Sequence, residues 1–241
     1  MCYRNTLSID ATSLQKRYNA RLEYAESFAP VYHASAFGFP ALPIITNREP
    51  ALLQQFRWGL IPFWVRTREE VDKVRAGTIN AKSETAFEKP SFKNSIKAKR
   101  CLVPSTGFFE FHSYKSKKYP YFITLAGAGV FSIAGIWDSW TDKETGEILS
   151  TFSVLTVAAN PLMAKIHNEK KRMPVILPAE QENRWLNESL AKEEILALCV
   201  PFDENYMKAH TVSRLITSHT QDANVPEVQK EFAYQELEAL E

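Results

Sequence analysis

Between residues 101 and 158 the chain carries five runs of β-branched and aromatic residues: 101–104, 107–112, 119–125, 131–137 and 151–158. Turn signals separate them, at Gly127, Gly129 and residues 142–146. Such runs read as strands. Strands grouped together, rather than alternating with helices, indicate an α+β fold with a mainly antiparallel sheet. Around this block the pattern predicts short helices over 10–18, with an N-cap at Asp10 or Ser13, over 92–99, over 161–167 with Pro161 in its first turn, over 179–187 and over 192–198. Residues 56–60, stopped by Pro62, and 173–177 read as further strands, and 29–46 as an extended loop leading into a strand that ends near Ile45. There is no linker-like stretch, repeat or low-complexity tract. A single domain over 1–225 is therefore expected, followed by an acidic tail or helix over 226–241.

Apolar residues make up 45% of the chain and charged residues 24%, the profile of a globular protein. No stretch of about 18 apolar residues exists to span a membrane, and the start MCYRNTLSID lacks the apolar core of a signal peptide. The three cysteines, Cys2, Cys101 and Cys199, are far apart and odd in number. That argues against a disulfide framework or a zinc site and fits a cytoplasmic location. The net charge of +1 hides an asymmetry: residues 65–100 hold ten Lys/Arg against five Asp/Glu. A local basic block in a near-neutral chain reads either as a patch for an anionic partner or as solvated helix surface.

Four features could carry chemistry. Removal of Met1 would leave Cys2 with an amine and a thiol on adjacent carbons. Such a pair can attack an acyl carbon as a thiolate, or condense with an aldehyde through an imine and close a thiazolidine ring. Asn80, in the polar stretch 78–85, offers an acceptor and two donors suited to a sugar hydroxyl or an oxyanion. Glu110 sits in Gly107-Phe108-Phe109-Glu110-Phe111-His112. Alternation places it on one strand face with Phe108 and His112, where inward orientation would raise its pKa and suit it to general acid/base work. His167 ends the helix 161–167 beside Lys170, Lys171 and Arg172 and titrates in the range useful for proton transfer. In addition Trp58, Phe63 and Trp64 adjoin the basic block, as in proteins that stack unpaired bases, although at least one of the tryptophans is expected in the core. No HxH or HExxH spacing, GxGxxG, GxxxxGK[ST] or GxSxG occurs, so metal, nucleotide and serine-hydrolase readings have no anchor.

Taken in order, these segments resemble the SOS response-associated peptidase (SRAP) family. The resemblance rests on Met1-Cys2 with Arg4, on Arg57-Trp58-Gly59-Leu60-Ile61-Pro62-Phe63-Trp64, and on Ile79-Asn80-Ala81-Lys82-Ser83-Glu84-Thr85. It continues in Arg100-Cys101-Leu102-Val103-Pro104, Gly107-Phe108-Phe109-Glu110-Phe111, His167, Arg172-Met173-Pro174-Val175-Ile176-Leu177 and Val212-Ser213. It implies one α+β domain with a barrel-like, mainly antiparallel core flanked by short helices. It also implies loss of Met1 by autoproteolysis and covalent capture of abasic sites in single-stranded DNA as a thiazolidine on Cys2, with lyase-like character. The implied catalytic set is Cys2, Asn80, Glu110 and His167; the implied DNA contacts are Arg4, Trp58, Trp64, Lys82 and Arg172. No cofactor or metal is implied, and a monomer is expected. The chain departs from the family pattern in having Tyr3 for Gly, Lys82 for Arg, Val65 for a second Trp, and Asn168 to Lys171 inserted between His167 and Arg172. Two other readings stay open: an N-terminal-nucleophile cysteine amidohydrolase, and a non-catalytic single-stranded DNA-binding module.

Overall fold

The computed structural model describes residues 2–218 and 220–238. Their strands are β1 (Arg4–Leu7), β2 (Arg21–Leu22), β3 (Val31–Ser35), β4 (Ala41–Thr46), β5 (Leu52–Trp58), β6 (Asn80–Lys82), β7 (Arg100–Ser105), β8 (Gly107–Tyr114), β9 (Lys117–Leu125), β10 (Phe131–Thr141), β11 (Ile148–Ala158), β12 (Arg172–Pro174), β13 (Ile176–Leu177) and β14 (Met207–Thr211). The helices are α1 (Ala11–Tyr18), α2 (Arg68–Arg75), α3 (Lys93–Ala98), α4 (Pro161–Ile166), α5 (Ala179–Leu186), α6 (Lys192–Leu198) and α7 (Gln235–Glu238).

Five strands close on themselves. β11 pairs with β10, β10 with β7, β7 with β4 and β4 with β5, all antiparallel, and β5 returns to β11 in parallel. The barrel interior holds large side chains such as Trp58 and Phe152, stacked with ring centroids 5.9 Å apart. Closure leaves little room at Gly135 of β10. A Cβ there would lie 2.8 Å from Cys101 Sγ and 2.9 Å from Val103 Cγ2, so the position admits only glycine without repacking.

β11 is long enough to change neighbours along its length. It pairs with β5 at Thr151 and Phe152, with β6 at residues 154–156, and with β12 at residues 156–158. Thr156 is the register partner of both Lys82 and Pro174. β6 and β12, which carry Asn80 and Arg172, therefore flank the same end of β11.

The second sheet runs β14-β9-β8-β1-β3 and is antiparallel throughout. β1 is short and has only one β-branched residue, Thr6. It becomes a strand because β8 and β3 supply backbone partners on both sides. Asn5 is opposite Phe108 and Thr6 opposite Gly107. Continuing that register brings the residues ahead of Asn5 alongside Phe109–Phe111, and hence beside Glu110.

Local signals explain the helices that position the site. Asp10 caps α1, its carboxylate accepting from Ser13 N–H at 2.9 Å. Asn160 caps α4 through Met163 N–H at 2.8 Å, with Pro161 following. Three differences from the sequence reading stand out. Residues 29–46 hold two strands, β3 and β4, around a 3-10 turn at Ala36–Gly38. α2, capped by Thr67, lies inside the basic block. Beyond Val225 the described residues form a 3-10 turn, Pro226–Gln229, and the four-residue α7. This segment lies on the second sheet: Val228 is fully buried, and Tyr234 Oη donates to the Val212 carbonyl at 2.8 Å.

Candidate active site

Cys2 is fully buried, its Sγ 3.9 Å from the Arg4 carbonyl. Burial first, and the Glu110 carboxylate next, push the thiol up to about 12. At neutral pH the sulfur therefore carries its proton. Cys101 and Cys199 are also buried free thiols.

Glu110 projects from β8 and is only 4% exposed. Desolvation raises its carboxyl from 4.5 to about 7, with the nearby Arg4 guanidinium opposing the rise. The acid and its conjugate base are then both well populated near neutral pH.

His167 terminates α4. Its Nδ1 lies 2.9 Å from the Arg172 carbonyl, which can only accept, so Nδ1 bears the proton and donates it. Nε2 then presents its lone pair 3.8 Å from Glu110 Oε2. Burial lowers the imidazole's pKa, opposed by the bond to Arg172. A neutral base thus faces a carboxyl that titrates near neutrality.

Three contacts hold His167 there. His112 Nδ1 donates to the Lys165 carbonyl at 2.8 Å, tying α4 to the strand that bears Glu110. Asn168 brackets the backbone of Ser113, accepting from its N–H at 3.0 Å and donating to its carbonyl at 2.8 Å. Lys171, in the left-handed region at φ 48°, sends its N–H to the His167 carbonyl at 2.8 Å. The four residues before Arg172 are thereby closed into a turn that leaves His167 beside Glu110.

Glu110 and His167 open onto a cleft of about 440 Å³ whose walls include Tyr3, Arg4, Lys118 and Arg214. Arg4 lies over the Phe111 ring at 4.9 Å. On the rim Lys118, Lys170 and Arg214 outnumber the carboxylate of Glu169, so it is cationic on balance. Lys170 adjoins His167 in sequence, but Lys118 and Arg214 come from distant segments and no local motif marked them.

The remaining predicted residues divide. Asn80 is 9% exposed on β6, and neither side-chain polar atom has a hydrogen-bond partner among the described residues; it does not line the cleft. Lys82 is exposed. Arg172 is already engaged. Its guanidinium meets Glu84 at 2.5 and 2.8 Å and donates to the Thr156 carbonyl at 2.7 Å.

Trp58 requires correction as a DNA contact: it is 0% exposed inside the barrel, and its indole N–H donates to the Ile79 carbonyl at 2.9 Å. Burial of the ring removes both faces from any base. Trp64 is 44% exposed and Phe63 is exposed beside it. The basic block disperses as well. Arg100 is fully buried, donating to the Ile96, Lys97, Trp185 and Asn187 carbonyls at the ends of α3 and α5. Lys99 pairs with buried Asp138, and Arg75 lies over Phe39 at 4.1 Å. Among the described residues no group of three His, Cys, Asp or Glu side chains is placed to hold a metal ion, and no helix is long and apolar enough to cross a membrane.

The chain is 36% identical over 225 residues to the abasic site processing protein YoqW of Bacillus subtilis, covering 90% of this chain and 95% of that protein. It is 34% identical over 225 residues to the abasic site processing protein YobE of the same organism, covering 90% and 97%. A crystal structure of a protein from Bacteroides thetaiotaomicron superposes with a TM-score of 0.91 at 42% identity, covering 96% of this chain and all of that one. Residues 1–219 match the family described as SOS response associated peptidase (SRAP), and the chain belongs to that family.

Proposed function

We propose that the protein processes abasic sites in single-stranded DNA by forming a thiazolidine crosslink through Cys2, after autoproteolytic removal of Met1, which lies outside the described residues. The observation that carries this reading is the Glu110–His167 couple, 3.8 Å apart, opening onto a cationic cleft beside the strand that follows Cys2. The names of the relatives YoqW and YobE as abasic site processing proteins support the substrate class.

The chemistry needs no oxidant. Water adds to the Met1 carbonyl carbon and the Met1–Cys2 C–N bond breaks. Glu110 takes the proton from water and returns one to the departing amine. That amine condenses with the aldehyde of the ring-opened abasic deoxyribose, forming C=N and releasing water. The thiol then adds to the same carbon: the S–C bond forms, the π pair moves to nitrogen, and the sulfur's proton follows through Glu110. A group titrating at about 7 performs each of these transfers in either direction. His167 Nε2 exchanges protons with Glu110 and assists opening of the sugar ring. Asn80, whose buried amide has no partner among the described residues, holds the sugar or the reacting terminus. Arg4, Lys118, Lys170 and Arg214 meet phosphates, which fix register without reading sequence. Lys82 adds an exposed cation, and Arg172 can join only by exchanging Glu84 for a phosphate.

The test is incubation with a single-stranded oligonucleotide bearing one abasic site, followed by denaturing electrophoresis. Wild-type protein gives a covalent adduct and Cys2→Ala gives none. An equal yield from Cys2→Ala would overturn the assignment.

A further inference from the structure

Tyr3 and Phe37 form a stacked pair at the cleft that holds Glu110 and His167, with ring centroids 4.9 Å apart and planes at 26°. Phe37 is 60% exposed, so folding leaves most of this ring in water. The pair is nevertheless held in place. Ala36 N–H donates to the Tyr3 carbonyl at 2.8 Å, which fixes the 3-10 turn carrying Phe37 to the backbone just before β1. The same cleft is walled by Lys118, Lys170 and Arg214, together with the exposed carboxylate of Glu169, 3.6 Å from Lys118.

A rigid, exposed aromatic face that shares a cleft with cations suits one nucleotide, with its base on the ring and its phosphate on the cations. An abasic residue has no base to place there. The platform therefore serves the neighbouring nucleotide. We infer that the Tyr3–Phe37 pair is a subsite for the base next to the abasic residue, and that it makes this chain favour abasic sites flanked by a purine, whose larger π-face stacks more strongly. The inference rests on the abasic-site reading above and adds to it a dependence on sequence context.

The experiment reads non-covalent binding, so it does not depend on crosslinking. Labelled single-stranded oligonucleotides carry one tetrahydrofuran residue, which has no aldehyde. On each side in turn it is flanked by adenine, by thymine or by a second tetrahydrofuran. Fluorescence anisotropy with the full chain should rank adenine above thymine, and thymine above the baseless neighbour. The adenine-to-baseless ratio should be roughly tenfold. Phe37→Ala and Tyr3→Ala should bring that ratio toward one, while Phe37→Trp preserves it. Equal affinities in the wild type, or an unchanged ratio in Phe37→Ala with a native circular dichroism spectrum, would overturn the subsite. A preference for adenine without any adduct on true abasic DNA would keep the subsite and overturn the crosslinking reading. An adduct without the preference would do the reverse.

Discussion

Glu110 Oε2 and His167 Nε2 lie 3.8 Å apart although the two residues belong to different elements, a strand and the end of a short helix. One is a carboxyl raised toward neutrality, the other an imidazole whose pKa is lowered, both mainly by burial. The order of their proton affinities is thus reversed, so the shared proton rests on the carboxyl while the imidazole beside it stays neutral.

The raised carboxyl has a consequence for stability. Its pKa moves from 4.5 to about 7 on folding, so the native state holds this proton more tightly than the unfolded chain. The stabilisation is fully present below pH 4.5 and is lost as pH rises through 7, a change of about 3 kcal/mol. His167 acts in the opposite sense, since a lowered imidazole pKa costs stability as pH falls. Glu110→Gln removes the carboxyl's contribution alone. Urea unfolding at pH 5 and pH 8 should show the wild type losing stability relative to Glu110→Gln as pH rises. The same variant should retain Met1 in its intact mass and, with the Cys2 nitrogen still tied up in a peptide bond, should form no thiazolidine adduct.

The Cys2 thiol, pushed up to about 12, is almost wholly protonated at pH 8. Only the thiolate is alkylated at a useful rate. In chain that still carries Met1, iodoacetamide should therefore modify Cys2 slowly in the native state and readily in guanidinium, as read by peptide mass spectrometry. Rapid native alkylation at Cys2 would contradict the buried placement. Cys101 and Cys199, buried and likewise raised, should be protected alongside it.

Asn168 joins the turn after His167 to the strand of Glu110 by two hydrogen bonds with Ser113. Asn168→Ala leaves both Glu110 and His167 in the protein but removes that staple. The loss should be about 1–2 kcal/mol of stability. Adduct formation should slow by more than the stability change accounts for, because His167 is no longer held against Glu110. Thermal denaturation and crosslinking kinetics on the same samples separate the two effects.

Much of this site was legible locally. Alternation in 107–112 placed Glu110 with Phe108, and both are buried on β8. Pro161 at the start of α4 and the runs forming β7 to β11 carried their own signals. What escaped was what tertiary contact creates. β1 owes its strand conformation to β3 and β8. Tyr3, Phe37, Lys118 and Arg214 meet only because the second sheet and its loops bring them to one cleft. Arg100 reads as one more cation of a basic block, yet the carbonyls at the ends of two helices bury it completely. Charge in sequence does not say which cations are already spoken for in the fold.

The two tryptophans of the 57–65 segment make the same point experimentally. Trp58 is enclosed by the barrel, stacks on Phe152 and satisfies its indole N–H on Ile79, whereas Trp64 is 44% exposed with a long 3.4 Å bond to the Pro90 carbonyl. Trp58→Ala should cost about 3–5 kcal/mol through the cavity it leaves, lowering activity only as far as the folded fraction falls. Trp64→Ala should change stability by no more than about 0.5 kcal/mol. It should still weaken single-stranded DNA binding by roughly tenfold, since an exposed indole offers a stacking face. Denaturant unfolding and anisotropy on both variants check the division. A Trp64→Ala protein with wild-type affinity would remove this ring from the DNA-binding surface.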